Sequence, residues 1–218
     1  GEEIDTLLTT EEQVPEDTAD RMLWPEDLFD LVTTPTSAIT AGHDPQPGVA
    51  DADLSPEEVL ERYWGYTAFR PLQRELIESV LQGRDTLGLL PTGGGKSIIF
   101  QVPGLMLPGL TLVITPLIAL MKDQVRHLRK RGIKAIAVYS GMTRGEIVIA
   151  LDNCIYGDYK FLYISPERLT TELFITKVRS MRVSMITVDE SHCISQWGYD
   201  FRPSYLNIAS VRELFPEV

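Results

Sequence analysis

From residue 55 onward the chain alternates between two hydrophobic rhythms, short runs of consecutive apolar residues and longer stretches with apolar positions three and four apart. Continuous apolar runs mark strands buried on both faces, and the three-to-four spacing marks helices with one buried side. Ser55-Pro56-Glu57-Glu58 opens the first helix, with serine at the N-cap, proline at the first helical position and glutamate at the third. A helix follows near 71 to 82, ended by Gly83, and then an apolar strand over Thr86 to Leu90. Further expected elements are a strand at Val113 to Thr115, a helix from Leu117 to Arg131 stopped by Gly132, and a strand from Lys134 to Tyr139. A helix over 144 to 156, a strand over 160 to 164, a helix over 166 to 180 and a strand over 183 to 188 complete the series. Strands and helices that alternate in this way predict an α/β fold, a parallel sheet flanked by helices.

The first 53 residues lack either rhythm. They combine acidic residues with scattered prolines (Pro15, Pro25, Pro35, Pro45, Pro47), a composition that buries little apolar surface. This divides the chain into an acidic, largely disordered extension over 1 to 53 and a folded lobe over 54 to 218. Within the extension, Met22-Leu23-Trp24 through Leu28-Phe29 and Leu31-Val32 is apolar enough for a short helix. Such a helix would either dock on a protein partner or on the core, or have no role at all. The formal net charge of -11 is therefore misleading. Residues 1 to 54 hold 14 acids against the single base Arg21, and the remainder is close to neutral, so the acidity does not exclude a nucleic-acid partner for the lobe.

Cys154 and Cys193 are the two cysteines and have no CxxC spacing, which supports neither a disulfide framework nor a zinc site. Cys154 is expected buried on its helix, and Cys193 beside a loop without reacting. No apolar run approaches bilayer-spanning length, so a cytoplasmic protein with no membrane partner is expected.

The chemistry concentrates at two strand ends. Leu89-Leu90-Pro91-Thr92-Gly93-Gly94-Gly95-Lys96-Ser97 lies between an apolar strand and a helix. Consecutive glycines let backbone N–H groups converge on an anion, the helix terminus adds its dipole, Lys96 supplies charge for β and γ phosphates, and Ser97 offers a hydroxyl to Mg2+. Leu90 stands where the general phosphate-loop pattern has glycine. About ninety residues later, Met185-Ile186-Thr187-Val188-Asp189-Glu190 gives a buried strand ending in two carboxylates. Asp189 is suited to hold Mg2+ through its water shell, and Glu190 to orient and deprotonate an attacking water. Together the two stretches predict ATP and Mg2+ as ligands.

Asp189-Glu190-Ser191-His192 resembles the DEAH box of superfamily-two helicases, and Cys193 through Pro203 resembles the aromatic-rich loop of RecQ helicases. Ser191 and Tyr199 depart from the residues usual there, alanine and histidine. The resemblance covers about residues 56 to 218 and implies the first, RecA-like P-loop NTPase lobe of a 3'-5' DNA helicase of repair and recombination. It implies catalytic roles for Lys96, Asp189, Glu190 and His192, and nucleotide contacts from Thr92, Gly93, Gly94, Gly95, Lys96 and Ser97. Gly65 through Gln73 resembles the RecQ adenine-recognition motif, in which Tyr66 would stack on the base, Gln73 would bond its edge and Arg70 would support both. Read without the family, Tyr66 and Phe69 suit a core and Gln73 a helix start.

DNA coupling would fall to Trp197, Phe201 and Arg202. The segments 115 to 124 and 163 to 169 would meet the DNA backbone, with Thr115 and Arg168 among them. The basic cluster Arg126, Arg129, Lys130, Arg131 and Lys134 fits either a solvated helix face or an extension of that track.

The expected partners are ATP and single-stranded or partly duplex DNA, with nucleoid association in a bacterium. The family's next strand, its Thr-Ala-Thr motif and its second lobe would follow Val218, so the chain alone is expected not to unwind DNA. Two alternatives remain: a non-catalytic nucleotide- or nucleic-acid-binding fragment, and the lobe of a DEAH-type RNA helicase.

Overall fold

In a computed structural model, residues 51–91, 93–195 and 202–218 are described. The extension before Asp51, with its expected helix at 22 to 32, lies outside these residues, as do Thr92, Trp197, Tyr199 and Phe201. Four strands form one parallel sheet: β1 Leu110–Ile114, β2 Ala135–Val138, β3 Phe161–Ile164 and β4 Val183–Val188, in the order β2-β3-β1-β4. The helices are α1 Pro56–Trp64, α2 Gln73–Leu81, α3 Lys96–Met106, α4 Ile118–Lys130, α5 Arg144–Tyr156, α6 Glu172–Val178 and α7 Ile208–Glu213. The expected fold class, an α/β lobe with a parallel sheet flanked by helices, is the one observed.

Alternation along each strand divides the core in two. Leu110, Leu112 and Ile114 of β1 join Leu162 and Ile164 of β3 in a cluster with Ile147 and Leu151 of α5 and Phe174 of α6. Val113, Phe161 and Tyr163 point the other way, into a cluster with Val59 of α1, Ile77 of α2, Val102 of α3 and Met121 of α4. Strands covered on both faces have no polar side to show, which explains the unbroken apolar runs of the sequence.

Local chemistry sets several boundaries. Ser55 forms the expected capping box with Glu58, and Thr143 forms another with Glu146 at the start of α5. Ahead of α1, Asp51 accepts from Arg62 at 2.9 Å and from the Tyr63 hydroxyl at 2.8 Å, so tertiary contacts begin just before the serine cap. At Gly104, an added Cβ would lie 2.7 Å from both a Phe161 ring carbon and the Thr111 hydroxyl. This missing side chain lets α3 sit close on β1 and β3.

Two expected elements differ. Thr86 to Leu90 forms no strand; Leu87 and Leu89 are 71% and 80% exposed. A strand exists only through its ladder, and β4 is a sheet edge with no strand beyond it among the described residues. The expected helix over 166 to 180 is broken. Pro166–Arg168 forms a 3-10 turn, and the Thr171 hydroxyl and N–H both donate to the Arg168 carbonyl, at 2.7 and 3.2 Å, taking the acceptor a continuing helix would need. The α-helix resumes at Glu172.

The close approach at Gly104 makes a measurable contrast. Gly104→Ala is expected to destabilise the lobe by about 1–3 kcal/mol through overpacking. Gly145→Ala, where nothing lies within 4 Å of the new Cβ on α5, is expected to be neutral or stabilising by up to about 1 kcal/mol. Urea unfolding of the two variants checks both signs.

Candidate nucleotide and nucleic-acid site

The phosphate loop is built on backbone conformations closed to most side chains. Gly93 and Gly95 take φ of 78° and 74°, and α3 starts at Lys96, so its first N–H groups face the loop. The loop is held from outside by the upstream motif. The Gln73 amide, 2% exposed, donates to the carbonyls of Gly94 at 3.1 Å and Gly95 at 3.0 Å, and accepts from the Arg70 N–H at 2.9 Å. The Arg70 guanidinium donates to the Gly93 carbonyl. A Cβ at Gly95 would sit 2.4 Å from the Gln73 amide nitrogen, so a side chain there would displace that amide from the loop in addition to straining the backbone. Tyr66 stands beside this assembly in sequence with its ring 57% exposed, open to a stacking partner. The family resemblance implies an adenine edge for Gln73; in this structure its amide donates to the phosphate-loop carbonyls.

Across from the loop, β4 delivers the carboxylates. The Asp189 N–H donates to Ile114 of β1 at 2.8 Å, which carries the ladder one residue past β4. Glu190 then turns into the left-handed region at φ 51°, unusual for a residue with a Cβ, and its N–H returns to Asp189 Oδ1 at 3.0 Å. Glu190 Oε2 lies 3.2 Å from His192 Nδ1. Burial raises the Asp189 carboxyl above the usual range, the Glu190 N–H lowers it, the Glu190 charge raises it, and the Lys96 and His192 charges lower it. Lys96 and Asp189 thus feel one another, although 93 residues separate them in the chain. A half-buried, incompletely neutralised carboxylate near the hydroxyl-bearing start of α3 is a hard oxygen donor set that suits Mg2+. Asp189 and Ser97 are the residues that would hold it.

A second polar surface follows the ends of β1 and β3. Thr115 Oγ1, Ser165 Oγ and Arg168 Nε are buried without a hydrogen-bond partner, and the Thr115 N–H donates to the Ile164 carbonyl at 3.1 Å, which sets Thr115 beside Ser165. Arg168 also faces a cavity of about 480 Å3 with Arg144, Met142, Ile147 and Phe174 in its wall. Arg144 was not singled out by sequence reading, because only the neighbouring ends of β2 and β3 bring it to Arg168. Arg202 is half-buried, its N–H on the Cys193 carbonyl at 2.9 Å, and Cys193 and Cys154 are both buried. The basic cluster is partly committed to the fold: Arg129 donates to the Ala135 carbonyl at 2.6 Å, Arg126 pairs with Asp123, and Arg131 lies over the Trp64 ring.

Comparison with known proteins gives a consistent picture. Residues 70–216 match the DEAD/DEAH box helicase family. The chain is 44% identical over 158 residues to the probable ATP-dependent DNA helicase RecS of Bacillus subtilis, covering 72% of this chain and 32% of that protein. It is 49% identical over 153 residues to the ATP-dependent DNA helicase RecQ of the same organism, covering 70% and 26%. The ATP-dependent DNA helicase Q-like 4B of Arabidopsis thaliana is 39% identical over 71% of this chain and 14% of its own length. The chain therefore spans about a third or less of these relatives. A crystal structure of a hypothetical ATP-dependent RNA helicase from Sulfolobus tokodaii superposes at a TM-score of 0.46 with 21% identity, over 61% of this chain and 50% of that one. No helix among the described residues is long and apolar enough to cross a membrane.

The raised Asp189 pKa carries a sign that can be measured. The folded state holds the proton more tightly than the unfolded state, so stability falls as pH rises from the unfolded pKa to the folded one and stays lower above it. Asp189→Asn keeps the acceptor for the Glu190 N–H and removes the charge. Its melting temperature is expected to exceed that of the parent at pH 7, and the gain to vanish as pH falls to the range of free carboxylates; thermal melts from pH 3.5 to 8 check this.

Proposed function

Since the chain belongs to the DEAD/DEAH box helicase family, we propose that it is the ATP-binding and DNA-sensing lobe of a RecQ-like 3'-5' DNA helicase. The observation that carries this reading is the convergence of three distant segments: Arg70 and Gln73 on the carbonyls of the phosphate loop, and Lys96 within the electrostatic field of Asp189. The relatives at 44% and 49% identity bear the names of ATP-dependent DNA helicases, which favours DNA over RNA as the polymer.

In this reading the loop N–H groups and the start of α3 hold the β and γ phosphates, and Lys96 offsets the charge that grows on the γ phosphate as its bond breaks. Ser97 and Asp189 hold Mg2+, which when bound neutralises phosphate oxygens. Tyr66 presents a stacking face to the base. Glu190 orients the attacking water and takes its proton, and His192, 3.2 Å from the Glu190 carboxylate, steadies it. Thr115 and Arg168 are assigned to the DNA backbone; Arg168 lines the cavity beside Arg144, whereas Thr115 is fully buried in this structure. Trp197 and Phe201, outside the described residues, are assigned to stacking on unpaired bases, with Arg202 beside them. An arginine brought by a second lobe typically contributes about three to five orders of magnitude to phosphoryl transfer, so the isolated chain would bind ATP and hydrolyse it poorly, without unwinding DNA.

Steady-state ATP hydrolysis with and without single-stranded DNA tests the proposal, with Lys96→Ala as the blank. The substitution is expected to reduce hydrolysis by roughly two orders of magnitude or more, and DNA to stimulate the parent when the second lobe is present. The 218-residue chain alone should bind Mg-ATP yet stay close to the blank. Stimulation by RNA and not by DNA would replace this reading with that of an RNA helicase lobe.

A further inference from the structure

The end of the β1–β4 ladder contains a rung that the sequence forbids. Ile114 lies opposite Val188, and the Asp189 N–H donates to the Ile114 carbonyl at 2.8 Å. In a parallel ladder the next bond runs from the N–H of residue 116 to the Asp189 carbonyl. Residue 116 is proline and has no N–H to give. The Tyr205 hydroxyl occupies that place, donating to the Asp189 carbonyl at 2.9 Å from a side chain that is 1% exposed.

We infer that Tyr205 is a positioning residue for the Asp189-Glu190 pair, its hydroxyl supplying the donor that Pro116 withholds from the last rung of the ladder. The inference rests on the reading of this site as an ATP-hydrolysing one.

The peptide between Asp189 and Glu190 is the hinge of the carboxylate pair. Its carbonyl is held by Tyr205 and its N–H by Asp189 Oδ1 at 3.0 Å, so the orientation of that one plane aims both carboxylates. The plane leads into Glu190 at φ 51°, a conformation that its neighbours must impose because a residue with a Cβ does not choose it. On the far side the Glu190 carbonyl accepts from the Cys193 N–H at 2.9 Å. Without the hydroxyl, the Asp189 carbonyl would be left at the sheet end with no donor from β1, and the turn would be free to relax.

Tyr205 also ties this plane to other segments. It belongs to the 3-10 turn Pro203–Asn207, with its N–H on the Arg202 carbonyl at 2.9 Å. Arg202 in turn donates to the Cys193 carbonyl, and Ser204 donates to Glu167 at 3.2 Å, next to Arg168. A displacement of the turn at 202 to 207 would therefore reach the carboxylates through one hydrogen bond.

Tyr205→Phe removes the oxygen and leaves the ring to fill its site. It is to be measured at saturating DNA in the protein extended to include the second lobe; absence of Lys96-dependent hydrolysis in that parent would count against the ATPase reading itself, not against the role of Tyr205. The expected result is a fall in kcat of about tenfold with KM for ATP within about twofold of the parent. Amide exchange at residues 190 to 193 is expected to quicken in the absence of nucleotide. Pro116→Ala added to Tyr205→Phe returns an N–H to the rung and is expected to recover much of the lost kcat and slow the exchange again. An unchanged kcat, a loss shared equally by KM, or a loss that Pro116→Ala does not relieve would each overturn the inference. If Tyr205→Phe does not fold, the double variant decides: a folded, active protein supports the rung, and an unfolded one overturns it.

Discussion

The pairing of β1 with its two neighbours is the constraint on which the site depends. β1 is the central strand, bonded to β3 on one side and β4 on the other, and every one of its five residues is buried. Because all strands run parallel, their C-terminal ends fall on one edge, and each of the three delivers a candidate segment there: Thr115 after β1, Ser165 to Arg168 after β3, and Asp189-Glu190 after β4. Ligands in open parallel sheets collect at this edge because the chain leaves it as loops whose polar groups are free to face outward. The register does the positioning, since a slip of one residue would turn Asp189 to the opposite face.

The phosphate loop is secured differently. It receives no ladder bonds, because Thr86 to Leu90 pairs with no strand among the described residues. Its shape depends instead on side chains reaching in from the start of α2, Gln73, and from the turn before it, Arg70, and on α3 lying flush on the sheet at Gly104. A buried polar bridge adds to that seating: the Gln101 amide of α3 donates to the Tyr163 hydroxyl at 3.1 Å, and Tyr163 donates to Gln124 of α4 at 2.9 Å. The Gln101 amide also reaches Gln124 at 3.4 Å, which closes the three side chains into one network. It fastens the phosphate-binding helix to the strand that leads to Arg168.

Several strained or unpartnered groups lie at the same edge: Glu190 sits at positive φ, the Asp189 carboxyl is raised by burial, and Thr115, Ser165 and Arg168 bury polar atoms without partners; Leu72 at φ 70° and the Thr111 hydroxyl are examples away from it. The core clusters on either face of the sheet have regular alternation and apolar contacts, and they hold these features in place. A site that carries unsatisfied groups and a bent backbone is poised to gain when a ligand supplies the missing partners.

What the sequence determined by itself was local or periodic. The serine cap at Ser55, the helix over 144 to 156, the strand over 183 to 188 and the glycine-lysine-serine turn are written in neighbouring residues, and each depends on backbone preference or on side-chain spacing within one element, although that strand is a half-buried edge and not the buried one expected. The sequence also paired Lys96 with Asp189 as parts of one chemistry. Tertiary structure decided whatever needs a partner from elsewhere. Whether Thr86 to Leu90 becomes a strand depends on a ladder partner, which no apolar pattern supplies. The break after Ser165 is the exception, a local event in which the Thr171 hydroxyl takes the Arg168 carbonyl three residues back, and apolar spacing does not report it. The roles of Gln73 and Tyr205 were set by register and packing: one side chain meets the glycine carbonyls of the phosphate loop, and the other fills a rung that proline left empty. Hydrogen bonds between distant segments leave no periodic trace in a chain, which is why these were visible only once the sheet had formed.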